Sequence, residues 1–326
     1  MKTELIAVLL ALAAFGAFAK GQGNDKSVKW PMADHVLQNV LDSQKDCGGW
    51  GKNMDKRKVF DEKKRAKVIA EKGDAADATI DNNATTTEIR YLLRWHGQKK
   101  DAASLRAAER GIDWLLAAQL PNGGWPQFPA RTSGYWTQIT FNDNAMRNVL
   151  ELMRDAAAGA GDFAALDAAR RAQCRAALAK GIDCVLKCQI RVDGRPTVWC
   201  QQHDRETLAP ADGRAYELKS FCSQESAEIV LFLMEIEKPS PEVIAAVNGA
   251  VAWFRRTRLP DGHWARFYDL AEQRPFFCDR SGVMKRDLSE IDPERQRGYG
   301  WFNKKGDKVL KKYEKWPWRA GPPAGA

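Results

Sequence analysis

Four tryptophan loops recur along the chain, at 44–53 (QKDCGGWGKN), 119–128 (QLPNGGWPQF), 189–200 (QIRVDGRPTVWC) and 258–267 (RLPDGHWARF). Their glycines Gly49, Gly124, Gly194 and Gly262 stand 75, 70 and 68 residues apart, and the stretches upstream echo one another as GIDWLLAAQ, GIDCVLKCQ and GAVAWFRRTR. A period of that length holds two helices and two connections, so the repeating unit is a helical hairpin. A chain of such hairpins buries its apolar faces by stacking them side by side. The expected architecture is therefore mainly α, an (α/α) toroid or an incomplete version of one.

Within each repeat one helix runs into the tryptophan loop and another leaves it after a polar segment. Apolar residues at helical spacing place the incoming helices at 35–43, 105–120, 175–189 and 243–258. Outgoing helices start near Thr85, Ala145 and Glu225. Thr85 with Glu88 reads as a capping box, and Asn142 or Asp143 and Ser223 read as further caps. This topology puts the tryptophan loops and the outgoing helix starts at the same end of every hairpin, so their polar residues gather there.

The first nineteen residues stand apart from the repeat. Lys2, an apolar run over 6–18 and the small-x-small step Ala17-Phe18-Ala19 have the form of a cleavable secretory leader. Export to the periplasm or the medium is expected, and no later stretch has the roughly 20 apolar residues of a spanning helix. The remaining chain is long enough for one large domain, read as 20–326. Its formal charge of +9 points to an acidic partner: an anionic polysaccharide, nucleic acid or an anionic surface. Seven cysteines, an odd number with no CxxC pair, argue against a zinc site and suggest buried small hydrophobes.

Acids and amides mark the outgoing helix starts. Asp81 and Asn82 in TIDNNATTTEIRYL stand opposite Asn142, Asp143 and Asn144 in TFNDNAMRNVLELM, with Glu225 in a later copy. A lone Asp before a helix is ordinarily a cap. Acid and amide pairs in two copies are instead the hard oxygen donors that suit calcium, although the spacing is not that of an EF-hand. Basic residues follow in His203-Asp204-Arg205, in Arg214-Ala215-Tyr216-Glu217, and at Arg280, Arg295 and Arg297. Arginine grips carboxylates bidentately. Interleaved Trp199, Tyr216, Tyr299 and Trp301 offer rings for sugar faces, equipment that stacked bases would also use.

Taken together, TIDNNATTTEIRYL, QLPNGGWPQFP, ITFNDNAM, VWCQQHDRETLAPADGRAYEL and CDRSGV with RQRGYGWF resemble the pectate lyases of polysaccharide lyase family 10, over residues 30–318. The resemblance implies a partial (α/α) toroid with irregular and short β segments flanking a substrate cleft. It implies calcium-dependent β-elimination of polygalacturonate (pectate) to 4,5-unsaturated oligogalacturonides by a monomer, with no nucleic-acid partner. Carried over by position, the catalytic base is Arg214, and the Ca2+ site is Asp81, Asn82 and Asp143. Arg280 and one of Arg295 and Arg297 bind substrate carboxylates, with Tyr216 and His203 beside them. The departures, Lys219-Ser220-Phe221-Cys222 and Asn83, remove none of these groups. An arginine base calls for alkaline conditions and an electropositive site that lowers its pKa. Three alternatives compete: a hydrolase using Asp81 and Asp143 as its two carboxylates, a non-catalytic binder of acidic glycans, and a terpene-cyclase-like toroid, which the absence of a DxDD motif disfavours.

Overall fold

Helix after helix in this chain ends on a buried tryptophan. The computed structural model describes residue 28 and residues 30–320, so the leader read at 1–19 lies outside the described residues. Two compact units emerge, one of 30–137 with Asp143–Ile182, the other of Gln138–Asn142 with 183–320. The first holds α1 (Asp34–Ser43), α2 (Glu62–Ala70), α3 (Thr86–Lys99), α4 (Ala102–Ala118), α5 (Ala145–Ala158) and most of α6 (Ala168–Cys188). The second holds α7 (Ser223–Leu233), α8 (Pro241–Thr257), the short α9 (Pro293–Gly298) and α10 (Lys305–Tyr313). Strands are two residues each; in the second unit β1 (Ile139–Thr140), β2 (Gln202–His203) and β3 (Pro210–Ala211) form a small antiparallel sheet. The fold is mainly α, as the repeat implies, with the short β segments that the resemblance implies.

One hydrogen bond explains the spacing of the tryptophan loops. Trp50, Trp125, Trp199 and Trp264 are wholly buried, and a buried indole needs a partner for its N–H. Their Nε1 atoms donate to the carbonyls of Val40 (2.8 Å), Leu115 (2.8 Å), Val185 (2.7 Å) and Phe254 (2.9 Å). Each carbonyl belongs to the residue three before the last of α1, α4, α6 or α8, where intrahelical donors run out. Trp301 repeats the device on α9, donating to Arg295 O at 2.9 Å. The tryptophan is thus the C-terminal cap of the incoming helix.

A glutamine completes the unit. Gln44 Nε2 donates to Gly48 O in its own loop and to Ala107 O in the next incoming helix, both at 2.9 Å. Gln119 does the same to Gly123 and Ala177, and Gln189 to Thr197 and Ala246. In the last copy Arg258 takes over, reaching Gly262 O and Asp307 at the start of α10. Neighbouring hairpins approach so closely that a Cβ on Gly48 (φ +104°) would lie 2.5 Å from Arg110 O, and one on Gly123 (φ +93°) 2.1 Å from Lys180 O. Those positive φ values and contacts require glycine.

The second residue after the tryptophan fixes the outgoing helices. The carbonyls of Gln127, Gln201 and Arg266 accept from Ile80 N (3.3 Å), Phe141 N (2.9 Å) and Ser223 N (2.9 Å). Each donor stands just before or at an outgoing helix start, so within each unit the loops and those starts do share one end. Thr85 corrects the capping-box expectation. It has φ 65° and makes no cap hydrogen bond, because its hydroxyl accepts from Trp50 N and donates to Thr79 O. Tertiary bonding to the tryptophan loop outcompetes local capping.

These contacts predict a stability effect. Trp125→Phe keeps an aromatic ring but leaves Leu115 O without its donor in a buried place, alongside a small void. The expected loss is about 2–4 kcal/mol, read as a fall in the urea midpoint at constant slope; a change below about 0.5 kcal/mol would contradict the capping role.

Candidate active site

Two turns of the same unusual shape carry the acids. Asn82 (φ 50°, ψ 37°) and Asp143 (φ 48°, ψ 33°) both adopt the left-handed conformation, followed by Asn83 (φ 63°) and Asn144 (φ 64°), likewise left-handed. Short polar side chains tolerate that region better than other non-glycine residues, which explains the run of Asn and Asp. The repeat therefore aligns Asp81 with Asn142 and Asn82 with Asp143, exchanging acid and amide between copies. The two turns are neighbours in the first unit: α5, which begins two residues after Asp143, packs on the 81–83 turn, and Asn148 Nδ2 donates to Asn83 Oδ1 at 2.6 Å.

Asp81 is buried, 2% exposed. Its Oδ1 accepts from Asn82 N (2.9 Å), and its Oδ2 pairs with the ammonium of Lys52, which lies over the Phe128 ring. A buried carboxylate is costly without a positive partner, and the Lys52 ammonium supplies it here. The Asn82 amide adjoins Asp81 in sequence and the Asp143 turn is its neighbour; acids and amides of this kind are hard oxygen donors, the type that suits calcium. Among the described residues no group of three or more His, Cys, Asp or Glu could hold a metal ion, so protein carboxylates alone do not form a closed cage. Further oxygens would come from water or a ligand.

Arg214 lies in the second unit, in a tight turn closed by Glu217 N to Arg214 O (2.7 Å) and Gly213 N to Glu217 O (2.8 Å). Glu217 is 2% exposed. Its Oε2 accepts from Arg214 N (3.0 Å) and Nε (2.8 Å), and its Oε1 from Arg214 Nη2, Gln201 Nε2 (3.1 Å) and Tyr299 Oη (2.7 Å). Arg214 itself keeps 41% of its side chain exposed. Tyr216 is the ring at the centre: the guanidinium carbons of Arg214, Arg295 and Arg280 lie 4.9, 4.9 and 5.9 Å from its centroid. Glu294 pairs with both Arg280 and Arg295. Beneath them Tyr216, Phe267, Phe276, Phe277 and Trp301 form a buried apolar cluster.

The electrostatics correct one expectation. Burial alone would lower the pKa of Arg214, but the hydrogen bonds and charge of Glu217 outweigh it and hold the guanidinium above its ordinary value. Burial would raise Glu217, yet Arg214, with the Tyr299 hydroxyl, holds that carboxyl below the usual range. The site raises the arginine's proton affinity where a depressed value was expected.

His203 is a second correction. It is fully buried, its Nε2 accepts from Cys200 N (3.0 Å), and its Nδ1 bonds to Leu208 O (2.8 Å). Both nitrogens are consumed by main chain and burial pushes the pKa down to about 4, so His203 offers no free atom to a substrate. It braces the sheet from which the Arg214 loop departs. Arg297 is exposed on α9 and makes none of the contacts to Tyr216 that Arg295 makes.

Several residues of these clusters were not singled out as site residues from sequence: Lys52, Gln201, Glu217 and Arg266. Glu217 had a visible signal, an acid three residues after the arginine in a glycine-started turn. Arg266 pairs with Glu225 at 2.6 Å, both buried, so the acid of the third outgoing helix is already neutralised by an arginine. All seven cysteines are free and six are buried, Cys47 being the exposed one.

Known proteins share this chain's sequence pattern and fold. No curated protein matches the chain. A family model described as pectic acid lyase matches residues 44–263 and 260–310. The family 10 polysaccharide lyase from Cellvibrio cellulosa is 29% identical with a TM-score of 0.81, covering 93% of this chain and 99% of its own. A point mutant of that lyase, in complex with trigalacturonic acid, matches equally well, at 29% identity and TM-score 0.81 over 90% of this chain and 96% of that one. With the family match running through both acidic turns and the Arg214 loop, the chain belongs to the pectic acid lyase family and is a pectate lyase of the family 10 polysaccharide lyase type.

Proposed function

We propose that the protein cleaves polygalacturonate by calcium-assisted β-elimination with Arg214 as the base. The observation that carries this reading is the half-exposed guanidinium of Arg214, fixed by Glu217 and flanked by Arg280 and Arg295 around one tyrosine ring. Flanking arginines suit the carboxylates of a polyuronide and the negative charge that develops when a proton is removed beside one. Loss of the C5 proton and of the oxygen substituent at C4 leaves a C4–C5 double bond, and protonation of the departing oxygen closes the balance. Asp81, Asn82 and Asp143 would hold calcium, which supplies Lewis-acid neutralisation of a uronate carboxylate.

A base must first lose its own proton, so activity climbs with pH through the base's pKa. Because Glu217 holds Arg214 above its ordinary value, the climb extends into strongly alkaline conditions. The family match spans both compact units, which supports reading 20–326 as one catalytic domain. Among the described residues no helix is long and apolar enough to cross a membrane, and the leader-like sequence pattern at 1–19 supports export.

Chelation tests the cation requirement. Unsaturated product from polygalacturonate is expected to cease with a calcium chelator and to return when calcium is restored. Turnover indifferent to chelation would remove calcium from the mechanism.

A further inference from the structure

Glu217 is a buried acid, 2% exposed. Five donors converge on it, and three of them belong to Arg214: its amide N, Nε and Nη2. Gln201 and Tyr299 supply the other two, and both are anchored. Gln201 stands two residues after the capping Trp199, and its side chain also donates to Asn142 at 2.5 Å. Tyr299 stacks on Phe267 and lies 4.6 Å below the guanidinium of Arg266. Rigid neighbours therefore hold the carboxylate, and the carboxylate holds the arginine. The Nε–Nη2 edge is engaged, which leaves Nη1 as the guanidinium nitrogen with no hydrogen bond among the described residues.

We propose that Glu217 is a positioning residue for the elimination: it clamps the Nε–Nη2 edge of Arg214 and so presents Nη1 to the substrate. This rests on the reading of Arg214 as the reacting group. A carboxylate suits the task because it accepts every bond offered, whereas an amide would turn its NH2 toward at least one of these donors. Its charge has a second effect, keeping Arg214 protonated until high pH. A residue that only filled space would influence neither the orientation nor the titration of the arginine.

Two variants separate these effects, with helicity and melting temperature confirming that each is folded. Glu217→Gln breaks the clamp and removes the charge. Its kcat on polygalacturonate is expected to fall about 100-fold, the cost of a misplaced reacting group, with KM within about threefold. The rising limb of its pH–kcat profile should move to lower pH, because the charge that raised the arginine is gone. Glu217→Asp keeps the charge but is one methylene too short to meet all five donors, so kcat falls while the limb stays in place. Should the Gln variant fail to fold, the Asp variant decides alone. Either variant with kcat within about twofold of the parent and an unmoved limb overturns the proposal. An active Arg214→Lys enzyme would instead overturn the underlying assignment of Arg214; a dead Arg214→Lys enzyme beside unaffected Glu217 variants would remove only the positioning role.

Discussion

Arg214→Lys is expected to lose pectate-cleaving turnover by a factor of about 1,000 or more, although the charge is kept. Glu217 meets two nitrogens of a planar fork and the main-chain amide of the same residue. A lysine ammonium is a single point on a flexible stem, so it can neutralise Glu217 or face the substrate but cannot do both. The ring contacts to Tyr216 and Tyr299 also depend on a flat guanidinium. His203→Ala is the control, since its imidazole is sealed between Cys200 N and Leu208 O: it should cost stability with the pH profile of the surviving enzyme unmoved. A near-normal Arg214→Lys enzyme with a dead but folded His203→Ala one would transfer the base to histidine, and the pH profile would then level off near neutrality.

The second large effect concerns Asp143. Alanine is a poor probe here because φ at this position is 48°, where a non-polar β-carbon is strained. Asparagine is the clean substitution, for the sister turn already places Asn82 in the same conformation. Asp143→Asn should fold as the parent does and still need at least about 10-fold more calcium for half-maximal activity, since one carboxylate leaves a site built from few protein oxygens. An unchanged calcium requirement would reduce Asp143 to a turn residue. At Asp81 the same change removes a buried charge opposite Lys52, so it should cost stability as well as calcium.

Much of this was legible in the chain because the repeat is written in large residues. The tryptophans and their spacing gave the hairpins, and the capping bond from each indole to the carbonyl near its helix end is the reason those residues recur. The two acidic turns were legible as aligned segments, but not the exchange of acid and amide, which only the shared left-handed backbone of Asn82 and Asp143 reveals. Thr85 misled because its local pattern is that of a cap, while its hydroxyl is committed to Trp50 and Thr79 at the far side of the loop. His203 misled in a similar way: titratable side chains in a motif look available until burial is known. Sequence spacing left Arg295 and Arg297 equivalent, and the packing of Trp301 against the α9 carbonyl sets Arg295, not Arg297, against Tyr216.

β-Elimination is the central claim, and the end groups of the product test it most directly. Purified protein with calcium and polygalacturonate at alkaline pH should release oligogalacturonides whose non-reducing ends carry a C4–C5 double bond, seen as rising ultraviolet absorbance and as fragments one water lighter than saturated ones. Saturated fragments that gain reducing ends without the chromophore would contradict the account and make the protein a hydrolase.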